Sequence, residues 1–348
     1  MKKMKYTFAI IGLAILTISC SVDDGPTGGG GDGEPVNVTA NLFVTSNTKN
    51  TVLSFDFTSN YGILIRPMSM SGTNNEGVYY DKEEDELVLA SREQHVLNTY
   101  SNISEVPSNS QVNPSLSSDS ELDSPRDLAV SEDFYIVSDN TDLDNDPNTD
   151  EGRFLVFKRD ENGYTLRNTV TVDYAVWGIE LIGSDLYTVV DKSADVAVLK
   201  NFLSTYTTDA TATSDKRIEI DGITRIHGIT QDKGTVVLTD IGDPENDKDG
   251  AFHIIKSFTS KFDALPDGDI LDISGNQVRV SGFLSELGNP VAAAFDYDTG
   301  TVFIAERTND GGKVLFYDQI GIGGNVKPTL TSPLEGASSL YFAKKQFK

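Results

Sequence analysis

A short apolar run recurs six times along this chain of 348 residues. Each run is of strand length rather than helix length, and turn-forming residues separate it from its neighbours. The plan is clearest in residues 289–318, where three such runs are separated by the turns Asp298-Thr299-Gly300 and Asn309-Asp310-Gly311-Gly312. The sequence therefore predicts one all-β domain made of repeated antiparallel strands.

In each repeat the recurring run is interpreted as the second strand, strand b. The six copies are LFVTSN (42–47), LVLASR (87–92), YIVSDN (135–140), LYTVVD (186–191), VVLTDI (236–241) and VFIAER (302–307). Five copies follow a similar opening of a strand a: Glu76-Gly77, Arg126-Asp127, Trp177-Gly178, His227-Gly228 and Val291-Ala292. The second residues of these pairs stand 50, 51, 50 and 64 residues apart, a spacing typical of β-propeller blades. We therefore predict a six-bladed β-propeller.

The two ends of the chain complete one blade in this interpretation. The first b-strand has no strand a before it, whereas the segment from Glu335 to Ala343 opens like a strand a and has no strand b after it. We expect this C-terminal strand to join the N-terminal blade, which removes two exposed sheet edges. The predicted propeller occupies residues 40–348, with blades at 335–345 plus 40–72, 76–122, 125–173, 176–221, 226–285 and 290–331.

The N-terminus predicts export. Three lysines precede an apolar run at 6–18, which is shorter than the roughly 20 residues that span a bilayer, so residues 1–19 are interpreted as a signal peptide. The sequence Thr17-Ile18-Ser19-Cys20 resembles a bacterial lipobox, which implies lipidation of Cys20. The alternative is that this single cysteine is merely part of a discarded signal. Residues 20–39 are rich in glycine and predict a flexible tether.

Two further features bear on location and partners. Ser21-Val22-Asp23-Asp24 resembles the export signal of outer-leaflet lipoproteins in some Gram-negative bacteria, which implies a lipid-anchored outer-membrane protein at the cell surface or in the periplasm. The net charge of −25 argues against nucleic acid and anionic lipid as partners. We expect a monomer that contacts the membrane only through its lipid anchor.

The blade pattern resembles six-bladed propellers of the group that holds NHL-repeat proteins and the SMP-30/gluconolactonase family. The segment from Glu76 to Asp81, EGVYYD, is similar to the Glu-Gly-Pro-x-Trp-Asp opening of gluconolactonases, in which the Glu is a metal ligand. His227 stands where that family has an Asn ligand. The resemblance implies a calcium-dependent hydrolase of lactones or esters as one possible function.

The strand-a openings predict a ligand site. Within up-and-down blades, the turns from strand b to strand c lie on the same face as the connectors that lead into strand a. That face should therefore gather Glu76, Arg126, Trp177, His227 and Glu335 around the channel mouth. The two carboxylates could hold a cation, and Trp177 could stack on a sugar or another flat ligand. The alternative is that these residues are solvated strand ends, with Trp177 in the core and His227 hydrogen-bonded in the wall.

A long acidic loop on the same face predicts a possible calcium site. Residues 139–152 read DNTDLDNDPNTDEG, and a similar acidic loop follows at 240–250. Carboxylate and amide oxygens at alternate positions, with Glu at the twelfth, are typical of calcium loops, although Asn145 replaces the usual glycine. The candidate ligands are Asn140, Asp142, Asp144, Asp146 and Glu151. The alternative is a solvated acidic hairpin.

Two functions remain open from the sequence. The first is a tethered binding module that captures a small molecule, a glycan or a protein at the propeller face. The second is the calcium-dependent lactonase or esterase implied by the family resemblance. The sequence contains no Gly-x-Ser-x-Gly, His-Glu-x-x-His or phosphate-binding glycine loop, and a fold alone carries no activity, so the binding module is favoured.

Overall fold

The computed structural model of the protein describes residues 37–58, 62–146, 148–318 and 321–347. The predicted signal peptide and Cys20 lie outside these residues, as does the tether up to residue 36. The described residues form one compact unit of six sheets with four or five strands each, which are antiparallel apart from two short parallel pairs. The innermost strands of the sheets contact one another in a closed ring, so the predicted six-bladed β-propeller is confirmed.

The first three blades follow the predicted order from strand a, nearest the axis, to strand d at the rim. Blade 1 contains β1 (Asn37–Ser46), β2 (Thr51–Asp56) and β3 (Leu64–Ser69), and takes its strand a from the C-terminus. Blade 2 contains β4 (Asn75–Asp81), β5 (Glu86–Ser91), β6 (Val96–Ser101) and β7 (Leu116–Ser117). Blade 3 contains β8 (Pro125–Ser131), β9 (Phe134–Asp139), β10 (Gly152–Asp160) and β11 (Gly163–Val172).

The other three blades repeat this arrangement. Blade 4 contains β12 (Val176–Ile182), β13 (Asp185–Val190), β14 (Asp195–Leu199) and, after β15 (Ala210–Thr211), β16 (Lys216–Ile220). Blade 5 contains β17 (Ile226–Asp232), β18 (Thr235–Asp240), β19 (Ala251–Ile255) and, after β20 (Ile270–Leu271), β21 (Val278–Ser281). Blade 6 contains β22 (Pro290–Asp296), β23 (Thr301–Glu306), β24 (Lys313–Tyr317) and β25 (Leu330–Pro333), and β26 (Ala337–Phe347) then returns to blade 1.

Helices are short and lie between strands. They are α1 (Phe202–Thr205), α2 (Phe258–Ala264) and the 3₁₀ turns Ile103–Glu105, Phe283–Ser285 and Asn309–Gly311. In the described ranges, no helix is both long enough and apolar enough to cross a membrane.

The b-strands explain why the six apolar runs stand out in the sequence. In β5, β13 and β18, at least four consecutive residues are buried, because each blade packs against a neighbour on both faces. A strand buried on both faces is apolar throughout instead of alternating. Each predicted hexapeptide matches its strand, which ends one residue earlier than predicted.

Ring closure by the C-terminal strand is confirmed. Strand β26 is antiparallel to β1, with Leu42 opposite Phe342 and Val44 opposite Leu340. The pairing also shows that β1 begins at Asn37, three residues inside the segment that was predicted as tether. Phe303 of blade 6 stacks on Phe342 with ring centroids 5.1 Å apart, which ties the closing strand to the last blade.

Two small strands join neighbouring blades. Strand β15 runs parallel to β11 of blade 3, and β20 runs parallel to β16 of blade 4. Between β19 and its outer strand β21, blade 5 therefore carries α2 and this bridging strand. The outer strand of blade 2, β7, has two residues.

Candidate ligand site at the channel mouth

Every a-strand has a β-bulge at the same place, near the end where it begins. The pairs that precede the bulges join the starts of the a-strands to the ends of the b-strands: Ala337 with Ser46, Asn75 with Ser91, Pro125 with Asp139, Val176 with Val190, Ile226 with Asp240, and Pro290 with Glu306. A bulge breaks the alternation of side chains and re-aims one of them. The first bulge residues form what we call the inner ring: Ser338, Glu76, Arg126, Trp177, His227 and Val291.

A second set of equivalent residues surrounds the mouth. The residue after each b-strand donates its backbone N–H to a carbonyl of the connector that leads into the a-strand of the same blade, at 2.9–3.1 Å. We call these residues the outer ring: Asn47, Arg92, Asn140, Asp191, Ile241 and Arg307. They are the last residues of the six hexapeptides, so their equivalent positions can be identified from the sequence alone.

Glycine allows the a-strands to approach closely around the axis. A Cβ atom on Gly178 would lie 2.5 Å from the carbonyl oxygen of His227, and one on Gly228 would lie 2.8 Å from the Cα atom of Ala292. Gly77 has a φ of +86°, a conformation that favours glycine. These glycines therefore allow neighbouring bulges to lie close together.

Three inner-ring side chains from consecutive blades form a stack. The imidazole of His227 lies parallel to the indole of Trp177, with ring centroids 3.8 Å apart and an interplanar angle of 7°. The guanidinium carbon of Arg126 lies 4.2 Å from the indole centroid, over the ring. Because both groups cannot share one face, both faces of the indole are covered. The predicted role of Trp177 as a free stacking surface for a ligand is therefore wrong.

His227 is a buried, neutral imidazole. It is 4% exposed, and burial lowers its pKa to about 4. Its Nε2 atom lies 3.3 Å from Asp191 Oδ1, but neither ring nitrogen makes a well-aligned hydrogen bond within the described residues. The other two histidines differ, because His95 Nδ1 bonds the carbonyl of Leu122 and His253 Nδ1 bonds the side chain of Gln277, each at 2.6 Å.

Asp191 is held as a carboxylate beside His227. Burial alone would raise its pKa, but the nearby His227 and the charge of Arg225 outweigh burial and hold the pKa at about 2. Since His227 is neutral at pH 7, the positive charge is supplied by Arg225, whose guanidinium lies 2.7 Å from Asp191 Oδ1. Asn140 donates to the other oxygen at 3.3 Å.

Arg126 and Glu76 complete the polar part of the inner ring. Glu76 is 3% exposed and accepts a hydrogen bond of 3.0 Å from the amide of Asn47. Burial lowers the pKa of Arg126 to about 10; Glu76 and Asp191 oppose this shift, while Arg92 and Arg307 add to it. The Nε atom of Arg126 is buried and makes no hydrogen bond with the described residues.

Glu335 does not belong to the mouth, contrary to the sequence prediction. Its side chain is 59% exposed and forms an ion pair of 3.1 Å with Lys49. The register of β26 shows the reason, because Ala337 is opposite Ser46 and the bulge of blade 1 therefore lies at Ser338-Ser339. The sequence prediction aligned Glu335-Gly336 with Glu76-Gly77 because the residue types are identical. This alignment placed the opening three residues too early. The predicted pair of carboxylates is thus reduced to Glu76.

The channel behind the inner ring contains two carboxyl groups that the sequence prediction missed. A cavity of about 780 Å³ runs along the axis and is lined by Asp127 and Glu180, among others. Burial raises the pKa of Asp127 to about 7, although its carboxylate accepts hydrogen bonds of 2.9 Å from the N–H groups of Leu128 and Ile179. Burial also raises the pKa of Glu180 well above its ordinary value, and the charge of Asp127 adds to this effect. The sequence did contain a signal for Asp127, because three other strand-a openings have glycine at the equivalent position.

The acidic loop of blade 3 brings three of its five predicted ligands together. Carboxylate oxygens of Asp142, Asp144 and Glu151 lie within 4.8 Å of one another. Asn140 instead bonds Asp191, as described above, and Asp146 accepts hydrogen bonds from the backbone and side chain of Asn148 at 3.0 and 2.7 Å. Calcium binding here stays a prediction.

The similar acidic loop of blade 5 begins with a structural carboxylate. Asp240 is 1% exposed and accepts the backbone N–H groups of Thr224, Arg225 and Gly242 at 3.0–3.1 Å. In the part of the chain that the structure describes, this loop contains no group of three potential metal ligands.

Comparison with known proteins identifies a fold. No protein-family model matches the chain, and no curated protein sequence matches it. Among solved structures, the chain is similar to one from the "Crystal structure of Nidogen/Laminin Complex", with a TM-score of 0.57, 13% identity and coverage of 87% of this chain and 98% of that chain. It is also similar to a functionally unknown protein from Desulfotomaculum acetoxidans DSM 771, with a TM-score of 0.50, 12% identity and coverage of 84% and 79%. At these identities the similarity shows the β-propeller fold alone.

Proposed function

We propose that this protein is a binding module, anchored to a membrane surface by a lipid on Cys20, that takes a small molecule into the mouth of its central channel. The observation that carries the proposal is the group of buried polar atoms at the mouth without hydrogen bonds from the described chain, namely both ring nitrogens of His227 and Nε of Arg126. The adjoining cavity of about 780 Å³ has the size of a small-molecule site.

The energetics of buried polar groups support this proposal. A buried donor or acceptor without a partner costs about 1–3 kcal/mol, so native proteins contain few of them. At the mouth, such atoms belong to two members of one stack, Arg126 of blade 3 and His227 of blade 5, on either side of Trp177. A ligand that hydrogen-bonds to them would remove this cost on binding. The bulges and the stack would hold the groups in place beforehand, which reduces the entropy lost on binding.

The hydrolase implied by the family resemblance has less support. A calcium ion takes about six to eight oxygen ligands. The contacts around Glu76 are instead the amide of Asn47 and the electrostatic influence of Arg126. Within the described residues, the three carboxylates that could share an ion lie in the acidic loop of blade 3. The binding module therefore remains the proposal, and turnover is an outcome of its test.

Trp177 provides a direct readout because it is the only tryptophan in the chain. We would screen metabolites and short glycans against the full-length protein in detergent, following Trp177 emission and the melting temperature. We expect at least one compound to change both signals, and His227→Ala to weaken its binding about tenfold through lost hydrogen bonding.

The matched control is His95→Gln, because His95 contacts a backbone carbonyl of blade 2 and lies outside both rings. If the compounds found in the screen bind His227→Ala and His95→Gln equally well, the ligand site lies elsewhere. Hydrolysis of a lactone panel that is lost in Glu76→Gln would replace the module with the enzyme.

The anchor is tested separately. We expect Cys20→Ala to move the protein from the membrane fraction to the soluble fraction, because one acylated cysteine would be its only attachment. Equal membrane association of the variant and the parent would refute the lipoprotein proposal without affecting the ligand site.

A further inference from the structure

The arginines of this protein divide into two groups. Seven of the ten have a hydrogen bond or an ion pair from the guanidinium: Arg66, Arg153, Arg159, Arg167, Arg217, Arg225 and Arg279. The remaining three, Arg92, Arg126 and Arg307, have neither with any described residue. All three are members of the two rings around the channel mouth. The guanidinium groups left unpaired are thus gathered at one place.

Arg92 of blade 2 and Arg307 of blade 6 both lie close enough to Arg126 to influence it. Arg92 and Arg307 both lower the pKa of Arg126, which is the effect of nearby like charges. Such a cluster is unexpected in a chain with 53 acidic and 28 basic residues, because a partner carboxylate would be easy to supply. Arg92 and Arg126 are half-buried and Arg307 is exposed. Like charges gathered at one place repel one another, so the cluster favours a function that needs positive charge.

The two carboxylates of the rings, Asp191 and Glu76, form no ion pair with these three arginines. Asp191 is already paired with Arg225, 2.7 Å away. Glu76 remains, and it accepts a hydrogen bond from Asn47 rather than from an arginine. Among the residues of the two rings, three guanidinium groups without an ion pair thus stand against one carboxylate without an ion pair, and His227 is neutral.

We propose that the ligand of the channel mouth is a small organic anion whose carboxylate or phosphate groups are bound by Arg92, Arg126 and Arg307. This inference rests on the proposed function and specifies its ligand. Guanidinium groups bind carboxylate and phosphate through paired N–H donors, and such bonds are among the strongest in proteins. A ligand with two negative charges balances the rings. His227 adds a hydrogen bond to an uncharged part of the same molecule.

Matched pairs of compounds test the charge requirement. We would titrate the full-length protein with succinate and its neutral analogue succinamide, and with glucose 6-phosphate and glucose, at constant ionic strength. Binding would be measured by calorimetry and by Trp177 emission. We expect at least one anion to bind about tenfold or more tightly than its neutral analogue, given the strength of charge-assisted hydrogen bonds.

Charge-removing variants locate the site. Arg92→Gln and Arg307→Gln should each weaken binding of the anion about tenfold, because each removes one guanidinium. Arg279→Gln is the matched control, since it removes the same charge from an exposed arginine outside both rings that bonds only Ser281. We expect this control to bind like the parent. Melting curves would verify that each variant is folded.

The results also separate this inference from the proposed function. The anion site would be overturned if neither succinate nor glucose 6-phosphate bound. It would also be overturned if Arg92→Gln, Arg307→Gln and Arg279→Gln reduced the binding equally. If a neutral compound from the screen binds beside Trp177 and ignores the arginine substitutions, the binding module survives and only the anion inference fails. If nothing changes Trp177 emission in either experiment, both fail.

Discussion

The channel mouth and the acidic loop of blade 3 lie on the same face of the propeller, yet they differ in how their polar groups are satisfied. In the loop, the carboxylates are largely exposed and accept hydrogen bonds from nearby backbone, as Glu151 does from Leu143 and Asp144 at 2.7 and 3.1 Å. At the mouth, His227 and Arg126 have buried atoms without partners. A high density of charge is therefore a weaker mark of a ligand site than a buried polar group that its own chain leaves unsatisfied.

The two regions also differ in origin. One continuous segment of about a dozen residues makes the loop, whereas the mouth takes one bulge from each of six blades, including the blade closed by the C-terminal strand. The mouth should therefore depend on the whole ring, and the loop should contribute little to the stability of the fold. Four predictions test this contrast, in order of decreasing effect.

The largest effect is expected from deleting residues 335–348. The deletion removes β26 and Ser338, and it exposes edges of blades 1 and 6, so we expect aggregation or loss of the cooperative unfolding transition. Scanning calorimetry would measure the transition. Glu335→Ala is the control, because an exposed ion pair with Lys49 contributes at most about 1 kcal/mol. A truncated protein that melts as sharply as the parent would disprove the closure.

The second effect concerns the stack. Trp177→Ala should lower the free energy of unfolding by about 3 kcal/mol, the usual cost of truncating a buried aromatic side chain. The double substitution Asp142→Asn with Asp144→Asn in the loop should change it by less than about 0.5 kcal/mol, as exposed substitutions usually do. Urea denaturation would measure both. Equal destabilisation by the two variants would remove the contrast between mouth and loop.

The third effect is a pH dependence from the channel carboxyls. Folded Asp127 stays protonated up to a pKa of about 7, whereas an unfolded aspartate ionises near pH 4. The unfolded state therefore binds fewer protons between these values. The stability that Asp127 contributes is complete below about pH 4 and is lost as the pH rises through 7. Burial of Glu180 acts in the same direction.

Substitution reveals this dependence. From pH 5 to pH 8, Asp127→Asn should gain roughly 2 kcal/mol in unfolding free energy relative to the parent, after allowance for water in the channel. Asp146→Asn is the control, because hydrogen bonds from Asn148 lower the pKa of Asp146 and keep it ionised throughout this range. Parallel pH profiles for the parent and Asp127→Asn would contradict the predicted protonation.

The smallest effect is expected from calcium. If the three loop carboxylates hold an ion, millimolar calcium should raise the melting temperature by a few degrees, because it binds the native state only. Asp142→Asn with Asp144→Asn should abolish the rise, whereas His227→Ala at the mouth should preserve it. A melting temperature that responds to neither calcium nor chelator would leave a solvated acidic loop.

The sequence was sufficient to predict the repeated elements. Six apolar hexapeptides marked the b-strands to within one residue, because a strand packed on both faces must be apolar along its length. Five of the six strand-a openings were also placed correctly. The sixth opening, in blade 1, was misplaced by three residues. Glu335-Gly336 resembles an opening in sequence, but Ala337 pairs with Ser46, so the bulge follows at Ser338.

Tertiary structure alone decided which polar groups meet and which remain unpaired. The sequence offered Trp177 as a stacking surface, but Arg126 and His227 come from blades 3 and 5 to cover its two faces. Arg92 and Arg307 are 215 positions apart in the chain, from 92 to 307, and only ring closure brings both to Arg126. Strand periodicity is local and therefore legible in the sequence. The position of a side chain around the axis depends on bulges, register and the packing of all six blades.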